Sequence, residues 1–323
     1  MSGPLDKLKK LASEAEHSGA LGEEQLDVGR PPAPFVVGLT RSGTTLLRMM
    51  LDAHPQLTVP PETHFVPDLI KAARDGGSVD EMLAALTANR TWPDFGIAEE
   101  EMRKRFEAIP LADEPARPGA AVRAFFDAYA KRQGKPRWGD KTPAYMLSIT
   151  RIGRALPETR FIHLIRDGRD VALSQTARAI NEQPPPAEQA AKWVKRIGKS
   201  RDQAKKLGWD RYIEARYEDL VRDPEPALRR ICEHIQLDFD PAMLTYYEGA
   251  AERLQEMSGA LRQDGSHAEQ AEGYRIDNHK PTTEPPDPSK LDKWRREMSP
   301  TDLKAYDDVA GPMLRELGYE VTT

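Results

Sequence analysis

Only one of the 323 residues is a cysteine, Cys232. A lone thiol excludes an internal disulfide framework and any zinc site built on several cysteines. It stands in ALRRICEHI, a helical pattern that suits a buried structural thiol. Long apolar runs are missing too, so no membrane-spanning helix is expected. The opening stretch, MSGPLDKLKKLASEAEHSGALGEEQLDVGRPPAPF, has neither the apolar segment nor the small-residue cleavage site of a secretory leader. Nor is there a basic excess. Net charge is −5, which argues against nucleic acid as the main partner. The expectation is a soluble, cytoplasmic protein. The chain is 39% apolar and 31% charged, enough for a real core and a well-solvated surface.

Short apolar runs alternate with helical patterns. FVVGL (35–39), LTV (57–59), RFIHLI (160–165) and RYIEARY (211–217) read as strands, the first and third almost wholly apolar. Buried parallel strands have that composition, so the predicted fold is α/β with a central parallel sheet flanked by helices. Residues 65–135 read as a helical insertion over the sheet, with a capping signal at Ser78-Val-Asp-Glu81. Residues 262–290 are polar, Pro-rich and aperiodic, which predicts a functional lid or a mobile loop. Residues 1–30 form a polar arm, helical or disordered, ahead of a single domain over 31–323. No internal repeat is present.

Two stretches carry chemistry. FVVGLTRSGTTLLRMML (35–51) runs from strand to helix through Gly38-x-x-x-x-Gly43-Thr44-Thr45. That is the spacing of a phosphate-binding P-loop, with Thr44 where its lysine belongs. Backbone N–H groups at such a helix start attract phosphate, and Gly43 lets the chain approach it closely. Leu46, Leu47, Met50 and Leu51 make an apolar stripe, while Arg48 and Asp52 are expected to share the wet face. The missing lysine, and the lack of a strand ending in a Walker B acid, argue against a nucleoside triphosphatase. A plain strand–turn–helix cap is the unspecific alternative. The second stretch is RFIHLIRDGRDVALSQ (160–175). It puts Arg166 at the carboxyl end of a strand, the edge where open α/β sheets bind ligands, with Ser174 on the helix that follows. An arginine fork suits phosphate, although an ion pair with Asp167 or Asp170 is the alternative.

The run Arg41-Ser42-Gly43-Thr44-Thr45, continuing to His54-Pro55, resembles the 5′-phosphosulfate loop of sulfotransferases that use 3′-phosphoadenosine 5′-phosphosulfate (PAPS). Arg166-x7-Ser174 resembles their 3′-phosphate signature. Over roughly residues 35–320 the chain is similar to the tyrosylprotein sulfotransferases and their bacterial relatives, through RSGTTLLRMMLDAHP, ETHFVP, IRDGRD, RYEDLVRDPE and PMLRELGYE. The resemblance implies a P-loop-like three-layer fold with a helical lid. It implies transfer of a sulfuryl group from PAPS to a hydroxyl, less readily an amine, with release of the desulfated nucleotide (PAP) and no metal. Arg41, Ser42, Gly43, Thr44, Thr45, Arg166, Ser174, Tyr217 and Lys280 would hold the donor. Glu62 is the expected base, with His64 its rival. A carboxylate working near neutral pH is expected to have its pKa raised by burial. Arg41 would neutralise the leaving phosphate, and Lys141, in Trp138-Gly-Asp-Lys-Thr-Pro143, the sulfuryl oxygens, with Thr45 able to join it. Asp-Lys-x-Pro reverses the acid and lysine of the family's segment. Ser289 is a weaker rival to Lys280. Trp138 and Trp193 suit the core better than an adenine platform. The implied partner is a small-molecule or peptide acceptor with a hydroxyl. A homodimer stays open, as do two other functions, a P-loop kinase or NTPase and a non-catalytic PAP- or nucleotide-binding protein.

Overall fold

Every residue of the first strand, Ala33–Gly38 (β1), is buried, as a strand covered on both faces must be. The computed structural model describes residues 29–74, 76–110, 116–177, 183–256 and 280–322. After β1 come α1 (Thr44–Asp52) and β2 (Leu57–Thr58). Four helices follow, α2 (Val66–Arg74), α3 (Val79–Thr87), α4 (Glu99–Glu107) and α5 (Arg117–Arg132). The chain then runs through β3 (Arg137–Trp138), β4 (Asp140–Lys141), α6 (Ile149–Ala155), β5 (Thr159–Ile165), α7 (Gly168–Thr176) and α8 (Pro186–Leu207). It ends with β6 (Tyr212–Arg216), α9 (Tyr217–Arg222), α10 (Pro224–His234), α11 (Tyr247–Gln255), α12 (Trp294–Glu297) and α13 (Pro300–Glu316). The polar arm over 1–30 lies almost wholly outside the described residues, as does the part of 262–290 before Lys280.

The main sheet has the order β4–β1–β5–β6, and all its pairs are parallel. Phe35 stands between Asp140 and Phe161, and Val36 between Lys141 and Ile162. The chain leaves β1 towards β4 on one side and later returns to β5 on the other. The carboxyl edge at that switch is where such sheets bind ligands. LTV does not join this sheet. Only Leu57 and Thr58 are strand, and they pair with β3 in a separate two-stranded sheet.

Strand alternation divides the core. Phe35, Val37 and Phe161 face a layer rich in aromatics, including Phe65, Phe95, Phe125 and Phe126. Val36, Ile162 and Leu164 face the opposite layer, with Leu47, Met50, Leu228 and Ile231. Helices thus cover both faces, giving the three layers expected. Trp138 stacks on Phe126 at 4.5 Å, and Trp193 is buried, so both tryptophans are core. Cys232 is buried. The capping box forms as the sequence implies, with Ser78 Oγ accepting from Glu81 N and Glu81 accepting from Ser78 N. Among the described residues no helix is long and apolar enough to cross a membrane.

The wet face expected on α1 does not exist. Arg48 and Asp52 are both buried. Arg48 Nε donates to Val59 O at 2.9 Å, and Asp52 Oδ1 accepts from Val59 N at 2.7 Å. From α11, Arg253 Nε pairs with Asp52 Oδ2 at 2.6 Å. Burial pushes the Asp52 carboxyl up, but Arg253, Lys135 and Arg48 outweigh it and hold its pKa below the ordinary value. Helical spacing marked these two residues as polar. It could not show that a segment some two hundred positions later covers them. The clamp on Val59 matters because Glu62 lies three residues on.

Candidate active site

Gly38 closes β1 where a Cβ would meet Leu164 O at 2.6 Å, so only glycine lets β1 and β5 approach there. The turn that follows puts Arg41 at φ 79° and Gly43 at φ 85°. The second is the left-handed region glycine adopts freely; the first is strained for arginine. A Cβ on Gly43 would also strike the Tyr217 ring at 2.2 Å, so the loop lies directly against that ring. α1 begins at Thr44 with no side-chain cap and no acidic residue in its first turn. Its leading N–H groups therefore keep their capacity and partial positive charge for an anion. Ser42 Oγ is buried and has no hydrogen-bond partner among the described residues.

The cradle opens into a cavity of about 190 Å³. Arg41, Gly43, Thr44 and Thr45 line it from the end of β1, Glu62 from beyond β2, Arg166 from the end of β5 and Tyr217 from the end of β6. The two anion signatures meet. Arg41 Nε donates to Ser174 Oγ at 3.2 Å, and Arg166 Nη1 to Arg41 O at 3.4 Å. Arg166 also pairs with Asp170 at 3.2 Å and lies over the Tyr217 ring at 4.8 Å. Its Nε is buried and has no acceptor among the described residues. Asp167 is engaged instead by Arg169, at 2.8 Å.

Glu62 bridges Lys141 and His64. Lys141 Nζ is 2.6 Å from Oε1, and His64 Nε2 is 3.0 Å from Oε2. Lys141 Nζ also lies 3.4 Å from Thr45 Oγ1, joining the base region to the cradle. The Lys141 side chain is 2% exposed and that of Glu62 28%. The expected upward shift of Glu62 does not result. Burial does push it up, but Lys141 and His64 outweigh burial and hold the carboxyl well below the usual range. Lys141 is pushed down by burial and partly restored by Glu62. His64 has φ 54° and a side chain 43% exposed.

Lys280 is exposed and does not line the cavity, and neither does Ser289, whose hydroxyl is held by Asp287. Lys290 lines it, together with Tyr246 and the prolines at 281, 285 and 286. Sequence reasoning missed Lys290 and Tyr246, and no spacing signal marks either. Tyr246 anchors the wall by donating to Glu284 O at 2.7 Å.

Beneath Glu62 lies a fully buried polar group that sequence reasoning also missed, Asp140. Its Oδ1 accepts from Thr63 Oγ1 at 2.8 Å, and its Oδ2 has no partner among the described residues. Burial pushes its pKa up to about 7, against the pull of Thr63, Thr142 and Lys141. The folded state therefore keeps a proton that the unfolded chain releases. Between the ordinary carboxyl value and pH 7, stability falls by about 1.4 kcal/mol per pH unit from this group. Asp140→Asn should raise the melting temperature at pH 8, and the gain should vanish below about pH 4. A variant no more stable than wild type at pH 8 would contradict this.

Residues 32–241 match the Sulfotransferase family. The chain is 26% identical over 295 residues to protein-tyrosine sulfotransferase 1 of Danio rerio, covering 90% of this chain and 72% of that one. It is 26% identical over 295 residues to protein-tyrosine sulfotransferase A of Caenorhabditis elegans, covering 90% and 67%. Among solved structures, the sulfotransferase domain of the Synechococcus PCC 7002 olefin synthase superposes with a TM-score of 0.56 at 26% identity, covering 92% of this chain and 98% of that one. The sulfotransferase domain from the curacin biosynthetic pathway has the same TM-score of 0.56 at 21% identity, covering 90% and 99%, a likeness of fold alone. The family match takes in β1 to α10, and with them the cradle, Glu62, Lys141 and Arg166; the chain belongs to the Sulfotransferase family.

Proposed function

We propose that the protein moves a sulfuryl group from PAPS to a hydroxyl of a small-molecule or peptide acceptor and releases PAP, without a metal. The observation that carries this reading is the joining of the two anion-binding strand ends, Arg41 and Arg166, beside a Glu62–Lys141 pair on one cavity. The buried, acceptor-less Ser42 Oγ and Arg166 Nε fit a group rich in anionic oxygens. In the proposed transfer the acceptor oxygen forms its bond to sulfur as the sulfur–oxygen bond to the 5′-phosphate breaks. Glu62 takes the acceptor's proton. Arg41 and the first-turn N–H groups of α1 take the charge left on the phosphate, and Lys141 and Thr45 hold the sulfuryl oxygens. Arg166 and Ser174 hold the 3′-phosphate, and Tyr217 flanks the nucleotide.

Lys141 has two duties. As it turns from Glu62 to a sulfuryl oxygen, it withdraws the cation that depresses the carboxylate, which gains basicity just as a proton must be taken. His64 is the second reading for the base, supported by its contact with Glu62 and by its exposure.

Calorimetric titration tests the donor assignment. PAP without metal should bind with a micromolar or tighter constant, roughly −8 kcal/mol or more, while ATP with Mg²⁺ gives no comparable signal. Tight ATP binding with no PAP response would return the chain to the P-loop kinases.

A further inference from the structure

Glu62 and Lys141 come from different chain segments, and their 2.6 Å contact depends on how those segments are joined. The joint is Thr63. Its N–H donates to Thr142 Oγ1 at 3.0 Å, and its hydroxyl donates to Asp140 Oδ1 at 2.8 Å. The same hydroxyl lies 2.9 Å from Tyr145 OH, which accepts from Val66 N at 3.0 Å. Strand alternation explains the pattern. Lys141 points to one face of β4, so its neighbours Asp140 and Thr142 point to the other. Thr63 beside Glu62 thus grips both residues that flank Lys141. On its far side the Glu62–Thr63 backbone is held by Thr91 Oγ1, at 3.2 Å from Glu62 O, and by Asn89 Nδ2, at 3.0 Å from Thr63 O. Thr63, Asp140, Thr142 and Tyr145 are all buried. A dry polar cluster of this kind is costly where an apolar one would pack, and it fixes geometry strictly when its bonds are made.

We propose that Thr63, locked by Asp140, Thr142 and Tyr145, is the positioning residue that sets the Glu62–Lys141 contact, so that it governs turnover through the placement of the base and not through donor binding. This rests on the proposed sulfuryl transfer. Among the described residues, the network's hydrogen bonds run to Asp140, Thr142, Tyr145, Asn89 and Thr91 and to the backbone of Val66, away from Arg166, so the two effects separate experimentally.

The test compares Thr63→Val, Thr63→Ser and Tyr145→Phe in the full chain. Conversion of saturating PAPS to PAP is followed with and without a phenolic acceptor, and PAP affinity is measured by calorimetry. Misplacing a reacting group by about 1 Å costs on the order of a hundredfold. Thr63→Val should therefore slow conversion about a hundredfold and leave the PAP dissociation constant within about threefold, while Thr63→Ser, which keeps the hydroxyl, recovers most of the rate. Tyr145→Phe removes the hydroxyl partner of Thr63 while keeping the ring. It should show the same split at smaller size, and it keeps the test decisive if Thr63→Val does not fold. Valine at wild-type speed would overturn the inference. So would a serine variant as slow as valine, or a PAP affinity that falls as far as the rate. Wild-type protein that neither binds PAP nor converts PAPS would overturn the sulfuryl-transfer reading itself, and this inference with it.

Discussion

Glu62→Gln slows PAPS turnover by about a hundred- to ten-thousandfold, the range a positioned proton acceptor supplies. Glutamine keeps the size of the side chain and can still accept a hydrogen bond from Lys141, but it cannot take a proton. PAP affinity should stay close to wild type, because the cradle and Arg166 are untouched. Rates and calorimetry on the purified variant check both halves. A variant as fast as wild type gives the base role to His64, which hydrogen-bonds Glu62 at 3.0 Å. The pH profile carries a second expectation. Lys141 and His64 hold the Glu62 pKa well below the usual range, overriding the upward push of burial, so the free protein keeps its base ionised far into acid. The acid limb of kcat/KM should therefore fall well below the ordinary glutamate value. The linkage to stability has the matching sign. A depressed carboxyl stabilises the fold above its unfolded pKa, and that contribution is lost as pH falls through the folded one. At neutral pH the glutamine variant lacks it, and Lys141 loses the carboxylate 2.6 Å away. Because Glu62 is 28% exposed, solvent moderates the loss.

Arg166→Ala weakens PAP binding by about ten- to a hundredfold, the loss expected when one charge-assisted contact of some 1.5–3 kcal/mol is removed. The guanidinium is the element of the second anion site with spare capacity, since its Nε is buried without an acceptor. Its loss also leaves Asp170 without a cation. Burial already pushes Asp170 up against the pull of Arg166, so the variant should bind a proton there more readily. Asp170 still accepts from Trp294 N at 3.0 Å, a tie to α12 that the variant keeps, and a melting curve beside the titration separates lost fold from lost affinity. Arg166→Lys restores charge without the planar fork and should recover part of the affinity. Salt sharpens the comparison, because affinity of the wild type should fall faster with ionic strength than that of the alanine variant. Equal affinities would move the 3′-phosphate to another cation, and Lys290 is the one at hand on the same cavity.

How much of this was legible in the sequence depended on whether the cause was local. The apolar run at 35–39 and the nearly apolar 160–165 announced buried parallel strands because two-sided burial leaves no polar face. The cradle was legible because glycine spacing, a strand before and a helix after are all encoded within seventeen residues. The capping box at Ser78 was legible for the same reason. What failed was tertiary. Helical periodicity put Arg48 and Asp52 in water, and α11 buries them. Burial was expected to raise Glu62, and a lysine seventy-nine residues away reversed the sign. A likeness of local sequence points to Lys280, but the chain turns so that Lys290 reaches the cavity. Asp140 stood next to Lys141 in plain view. Only the strand's alternation and the arrival of Thr63 give it a purpose.

The active edge also divides labour in a way that bears on how such a protein can diverge. Lys141, Arg166 and Tyr217 sit at or next to the ends of β4, β5 and β6, so each is tied to a ladder whose register admits little change, and Arg41 stands in the turn that follows β1. The wall opposite, from Pro281 to Lys290, holds only two short 3₁₀ turns and pairs with no strand. Substitutions there alter what the cavity meets without disturbing what the sheet holds. A lineage built on this frame can reshape the cavity by rewriting the wall, residue by residue, while the side chains carried by the sheet stay where they are.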